Sequence, residues 1–167
     1  MAPDADRTQD QPSALVRRIA GFDVGDRRIG VAVSDPLGYT AQPLFTLHRT
    51  THRADLKAVA RVLRKHDIAE AVVGNPLYMS GDQSPQAAKA QAFAEELRTE
   101  FGITVHLWDE RLSTTEAHRH LDAGGHAGGR DRKGIIDQVA AVLILQSFLD
   151  ARANAARRDA DTPFFSS

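Results

Sequence analysis

A chain of 167 residues, 42% hydrophobic and 26% charged, is long enough for one domain with a substantial core and has the composition of an ordinary globular protein. A formal net charge of -1 and a pI near 6.6 exclude a protein that coats nucleic acid by bulk charge, though not one with a local basic patch. With no cysteine there are no disulfides and no thiolate metal sites, so any metal ligand is a carboxylate, imidazole or amide, and a cytoplasmic protein is the simplest expectation.

The first residues, MAPDADRTQDQPSAL, lack the basic start and apolar run of a signal peptide. The longest apolar run, Val139 to Leu145, falls far short of the ~20 residues that span a bilayer, so no membrane role is expected. The chain divides into a disordered tail over 1–15, one domain over 16–152 and a flexible C-terminal tail over 153–167, in which Phe164 and Phe165 either pack on a surface or do nothing.

In chain order, two apolar runs, one ending at Asp23 and Val24 and the other spanning Ile29 to Val33, flank the polar turn Gly25-Asp26-Arg27-Arg28 and predict a hairpin. Gln42 to His48 predicts a third strand. Thr51 is a plausible N-cap for a helix with Leu56, Val59, Ala60 and Leu63 on its apolar face. Ala69 to Gly74 reads as a short buried strand. Ser84-Pro85 opens a helix that stops at Gly102, and Ile103 to Trp108 reads as a fifth strand. Ser113-Thr114-Thr115-Glu116 is a capping box for a further helix, which gives way to the glycine-rich stretch from Ala123 to Gly129. A last helix is expected from Gly134 to Ala151. Antiparallel strands followed by strand-helix alternation imply an α/β fold: a five-stranded mixed sheet with helices on both faces.

Three carboxylates occupy positions where this pattern calls for something else. Alternation in the first strand puts Asp23 on one face with Ile19 and Gly21, opposite Ala20, Phe22 and Val24. Glu110 stands at the carboxyl end of the fifth strand, where open α/β sheets bind ligands. Asp137 lies in line with Ala141, Ile144 and Phe148 on one helix stripe. Buried carboxylates need partners, and three of them from two strands and a helix suit magnesium or manganese, bound as one or two ions that promote phosphodiester hydrolysis. Each acid also has a plainer reading. Asp23 would serve hairpin amides or pair with Arg27 or Arg28, Glu110 would pair with Arg111, and Asp137 would complement a helix dipole. Their joint occurrence favours a site.

Around them Arg27, Arg28, Arg111, Arg130, Arg132 and Lys133 suit phosphate contacts or are simply solvated charges. His118 and His120 point to different helix faces and read as surface residues. The glycine-rich stretch is a flap or a linker, and the loop Asn75 to Gly81 offers Tyr78 or Met79 either as a stacking surface or as packing.

The blocks GFDVGDRRIGVAVSD, VVGNPLYMSGDQSPQA, WDERLSTTEA and RKGIIDQVAAVLILQSFLD resemble the YqgF, or RuvX, family across about Arg18 to Leu149. The resemblance implies a ribonuclease H-like fold with an acidic metal site. It further implies a nuclease that either matures the 5′ end of precursor 16S ribosomal RNA or resolves Holliday junctions. The family's acidic positions fall on Asp23, Glu110 and Asp137, and its arginines on Arg28 and Arg111. With Lys133, these arginines are the expected phosphate holders. The sequence departs from the family pattern at Gly74-Asn75-Pro76, and no fourth carboxylate is obvious, with Asp26, Asp109 and Asp131 as candidates. Expected partners are structured RNA or branched DNA, bound by a monomer or a homodimer. The rival classes are a sugar-kinase-type phosphotransferase, for which a second Asp-x-Gly hairpin is missing, and a non-catalytic RNA-binding assembly factor.

Overall fold

In a computed structural model, residues 17–112 and 129–162 are described, with side chains from 133 onward in the second segment. The capping box, the glycine-rich stretch, His118, His120, the side chains of Arg130, Asp131 and Arg132, the first sixteen residues and Phe164 and Phe165 lie outside the described residues.

The chain folds in the order β1 (Ile19–Val24), β2 (Arg28–Ser34), β3 (Ala41–His48), α1 (His52–Lys65), β4 (Glu70–Asn75), α2 (Pro85–Phe101) and β5 (Thr104–Asp109). A single 3-10 turn (Glu110–Leu112) and a long helix, α3 (Gly129–Asp161), complete the described elements. The five strands form one sheet ordered β3-β2-β1-β4-β5. β1, β2 and β3 pair antiparallel, while β1, β4 and β5 run parallel. Parallel strands end at the same sheet edge, which brings the residues at the ends of β1, β4 and β5 together.

Alternation along the strands builds two apolar layers. Phe22, Val31, Val73 and Val105 face α1 and α2, where Val59, Leu63, Phe93 and Leu97 complete the larger core, and the Phe22 and Phe93 rings meet edge to face at 5.4 Å. On the other face Ile19, Ala32 and Val72 pack against Ala141, Ile144, Leu145, Phe148 and Leu149 of α3. Each of these larger side chains stabilises the fold by roughly 1.5–3 kcal/mol on burial. By length and composition α3 would cross a bilayer. Its apolar stripe is instead the lid of this second core.

Strand and helix limits match the sequence reading to within a residue or two, and the caps act as expected. Thr51 accepts from the Ala54 amide, Ser84 from the Ala87 amide, and Gly102 closes α2 at φ 63°. Two expectations need correction. On α1, Asp55 and Val62 are buried while Leu56 and Ala60 are only half-buried; Asp55 is accommodated because it accepts from Arg49 Nε and from the Thr50 amide. The last helix extends beyond Gly134 to Ala151 at both ends, reaching Asp161 through residues assigned from sequence to the C-terminal tail. The residues added after Ala151 are exposed and rich in alanine and arginine, strong helix formers that prolong a helix already nucleated on the sheet.

Candidate active site

Asp23 sits next to last in β1, on the face covered by α3. Its antiparallel partner in β2 is Gly30. On the other side the register Phe22 to Val73 continues to place Asp23 beside Gly74, and Gly74 pairs with Trp108. Asp23 is thus flanked in its row by two residues without side chains, and the vacated volume on each side is filled by another acidic residue. A Cβ on Gly30 would lie 1.9 Å from the Asp137 carbonyl oxygen, so α3 touches the sheet at this point. A Cβ on Gly74 would lie 2.4 Å from Glu110 Oε1 and 2.6 Å from Ile144 Cδ1, so the Glu110 carboxylate rests over the β4 backbone. Further along, Gly21 admits Leu145 in the same way, its added Cβ falling 2.7 Å from Leu145 Cβ. Glycine in a strand interior signals such close approach, and this cue in the sequence was available for Gly21, Gly30 and Gly74 but not used.

Crowding three acids has an electrostatic cost. Burial, reinforced by the charge of Asp137, pushes the Asp23 carboxyl up to about 6. Burial, reinforced by Asp23 and Asp109, pushes Glu110 up to about 7. Folded-state values above the unfolded ones mean that the folded protein holds more protons between about pH 4 and 7, so its stability falls as pH rises through that window. Carboxyls held below their usual range, Glu70 and Asp109 among them, act in the opposite sense but only below about pH 4.5, near their ordinary values. His66, lowered mainly by burial, opposes the loss weakly. Metal-free protein is therefore expected to lose on the order of 2–4 kcal/mol between pH 5 and pH 8. Denaturant melts across that range test this, and a flat profile would show that the acids do not crowd one another.

The chemistry of the donor set fits a hard divalent cation, which would relieve the repulsion: three carboxylates, with no cysteine in the chain. Their present placement is not yet that of a coordination sphere. Among the described residues no three acidic or histidine side chains converge on one point, and Asp137 is drawn aside, its Oδ2 accepting from Arg28 Nε at 2.7 Å.

Of the expected phosphate holders, Arg28 is thus paired with Asp137, and Arg111 is wrapped on Asp109 through Nε at 2.9 Å and Nη2 at 2.6 Å. Lys133 is exposed in the first turns of α3. Of the candidates for a fourth acid, Asp109 adjoins Glu110 but is committed to Arg111. Asp26 is fully exposed and held below its usual range by Lys89 and Gln86, which places it on the α2 side, away from the cluster. Arg111 also donates to the Met79 carbonyl oxygen, tying the loop after β4 to this edge with Met79 87% and Tyr78 53% exposed. The stacking surface considered for that loop is therefore available to a ligand.

Comparison with known proteins bears on this arrangement. Residues 17–151 match the model of a family described as "RuvX: Holliday junction resolvase". A protein of Koribacter versatilis named "Putative pre-16S rRNA nuclease" is 48% identical over 142 residues, covering 85% of this chain and 92% of its own. One of the same name from Moorella thermoacetica is 49% identical over 133 residues, covering 80% of this chain and 94% of its own. Among solved structures, T. thermophilus RuvC in complex with a Holliday junction substrate superposes with a TM-score of 0.50 at 17% identity, over 81% of this chain and 95% of that one. A likeness at that identity shows the shared ribonuclease H-like fold.

Proposed function

Because the chain belongs to the RuvX family, as its match over 17–151 and its relatives at 48–49% identity show, we propose that it is a divalent-metal-dependent phosphodiester hydrolase that processes the 5′ end of precursor 16S ribosomal RNA. The observation that carries the chemistry is the glycine-flanked Asp23, with Glu110 and Asp137 filling the space on either side. A sheet that only needed to be stable would place apolar side chains there.

In this reading Asp23, Glu110 and Asp137 hold magnesium or manganese, as one or two ions. When bound, such a cation supplies Lewis acidity, lowering the pKa of the attacking water and offsetting charge on the leaving oxygen. Asp23 is the central ligand because it stands in the sheet beside Gly30, over which Asp137 is seated, and on the row that reaches Gly74 under Glu110. Glu110 reaches over Gly74 from the end of β5, and Asp137 descends from α3. Arg28, Arg111 and Lys133 hold the scissile phosphate or its neighbours, and the exposed Tyr78 and Met79 offer a face to an unstacked base. In this reading the protein acts in the cytoplasm on structured RNA, as a monomer or a homodimer.

The family's association with Holliday junction resolution favours one alternative, cleavage of a four-way DNA junction. That activity would need a two-fold dimer presenting two such sites to paired strands. The decisive experiment compares a precursor 16S RNA 5′ leader with a four-way DNA junction, each incubated with manganese or with chelator. Metal-dependent cleavage of the RNA alone is expected. Symmetric nicks in the junction alone would replace this reading by the alternative, and no cleavage of either would favour a binding factor.

Gly74→Ala provides a subtler check of the geometry. The new Cβ meets only the ends of two flexible side chains, so the protein should fold with a loss of about 1–2 kcal/mol. Displacing Glu110 should nevertheless lower kcat by more than about tenfold, on the scale of misplacing a catalytic group. Unchanged kcat would remove Glu110 from the proposed role.

A further inference from the structure

Asp137 is seated on the sheet by its backbone and held by Arg28 through its side chain. Its carbonyl occupies the space above Gly30, and the neighbouring turns of α3 are tied to β3 at one residue: Thr46 Oγ1 donates to the Gly134 carbonyl at 2.7 Å and accepts from Gln138 Nε2 at 3.2 Å. Helix sliding is therefore blocked. The carboxylate is held by Arg28, which precedes by two positions Gly30, the β2 neighbour of Asp23, and its charge is felt by Asp23.

Arg28 is placed to be reached by a ligand. Its side chain and that of Asp137 are 28% and 20% exposed, and among the described contacts only its Nε is engaged, leaving the four terminal N–H groups for another acceptor. Arg28 also borders an open cleft of about 710 Å³ on the α1–α2 side of the hairpin, whose wall mixes Arg27, Arg49 and Lys89 with Asp26, Asp55 and Glu96. Lys89 is paired with Asp26, and Arg49 is held through Nε by Asp55 and through Nη1 by the Gly25 carbonyl, whereas Arg28 is engaged through Nε alone among the described residues.

We propose that Arg28 is a latch on Asp137: in the free protein it holds that carboxylate away from Asp23, and a phosphate of the nucleic acid that takes over the guanidinium frees Asp137 to complete the cation site. Arg28 is then a positioning residue that makes cation binding depend on substrate. The advantage is selectivity, because the hydrolytic site is complete only when a phosphodiester is in place. This inference rests on the nuclease reading but concerns cation affinity rather than cleavage.

The test is calorimetric titration of the full chain with manganese in the absence of nucleic acid, for wild type, Arg28→Gln, Asp137→Asn and the double variant. Arg28→Gln should bind manganese about tenfold more tightly than wild type, the scale of losing one charge-assisted hydrogen bond that competes for a ligand. In the Asp137→Asn background the same substitution should change affinity less than about twofold, because the pair is already broken. A 2′-O-methyl oligoribonucleotide that resists cleavage should tighten manganese binding by wild type and not by Arg28→Gln. Arg28→Lys, which keeps the charge and shortens the reach, should fall between. If manganese binds wild type but Arg28→Gln binds no more tightly, the latch is refuted and the cation site stands. An equal gain with and without Asp137 also refutes it, since bulk charge then accounts for the effect. No manganese binding by any variant, with or without the oligonucleotide, removes the cation site itself and the latch with it.

Discussion

Asp23→Asn is expected to abolish metal-dependent cleavage, by at least about a thousandfold, while raising the stability of the metal-free protein at pH 8. The two effects have one origin. The Asp23 carboxyl, pushed up to about 6 by burial and by Asp137, is ionised at pH 8 at a cost to the fold, and it helps push Glu110 up to about 7. An amide of the same size removes that charge, so the folded state gains on the order of 1–3 kcal/mol at pH 8, roughly half as much at pH 5, where the unfolded acid is already ionised, and almost nothing below about pH 4. The amide keeps one neutral oxygen but loses the negative charge, so it is a much poorer ligand for the hard cation proposed here. Substrate binding should change little, because the arginines and Lys133 are untouched. Melting curves across this pH range, set beside a cleavage assay, separate this outcome from a structural role for Asp23. A variant that is less stable at pH 8 and still cleaves would place Asp23 in the fold and outside the site.

The second large effect concerns a residue with no chemistry of its own. Gly30→Ala would put a methyl group 1.9 Å from the Asp137 carbonyl oxygen and 2.4 Å from its carbonyl carbon, and both are backbone atoms of α3. Unlike the contact at Gly74, this one is not relieved by rotating a side chain. The helix must lift from β2, which strains the Thr46 ties to Gly134 and Gln138 and loosens the packing of Ala141 and Ile144 on the sheet. A loss of at least about 3 kcal/mol in denaturant melts is expected, near the upper end for overpacking. Any folded fraction should show weakened manganese binding, since Asp137 moves with the backbone. A loss under about 1 kcal/mol would mean that α3 is not seated at Gly30.

These two residues mark the boundary between what local pattern reveals and what it leaves open. Strand alternation was enough to identify Asp23 as an acid on a packed face, and helical periodicity to align Asp137 with Ala141, Ile144 and Phe148, because side-chain direction follows from backbone geometry within one element. Caps were readable for the same reason, since Thr51 and Ser84 act on amides three residues away. The reach of α3 past Ala151 was missed, as no apolar periodicity marks a helical extension in solvent. Asp55 was missed on α1 because its partners, Arg49 Nε and the Thr50 amide, come from outside that helix.

The sequence by itself therefore determined the five strands and the described helices, their order, most of the faces they bury and which carboxylates are out of place, all of which depend on neighbours a few positions apart. Only the tertiary structure decided that Glu110 lies over Gly74, that α3 touches the sheet at Gly30, that Arg111 is taken up by Asp109, and that Arg28 and Asp137, 109 positions apart, form an ion pair. The physical reason is that periodicity specifies the direction of a side chain but not the distant residue it meets. That is set by sheet register and by the depth to which a helix can settle, and here glycines beside Asp23 control that depth.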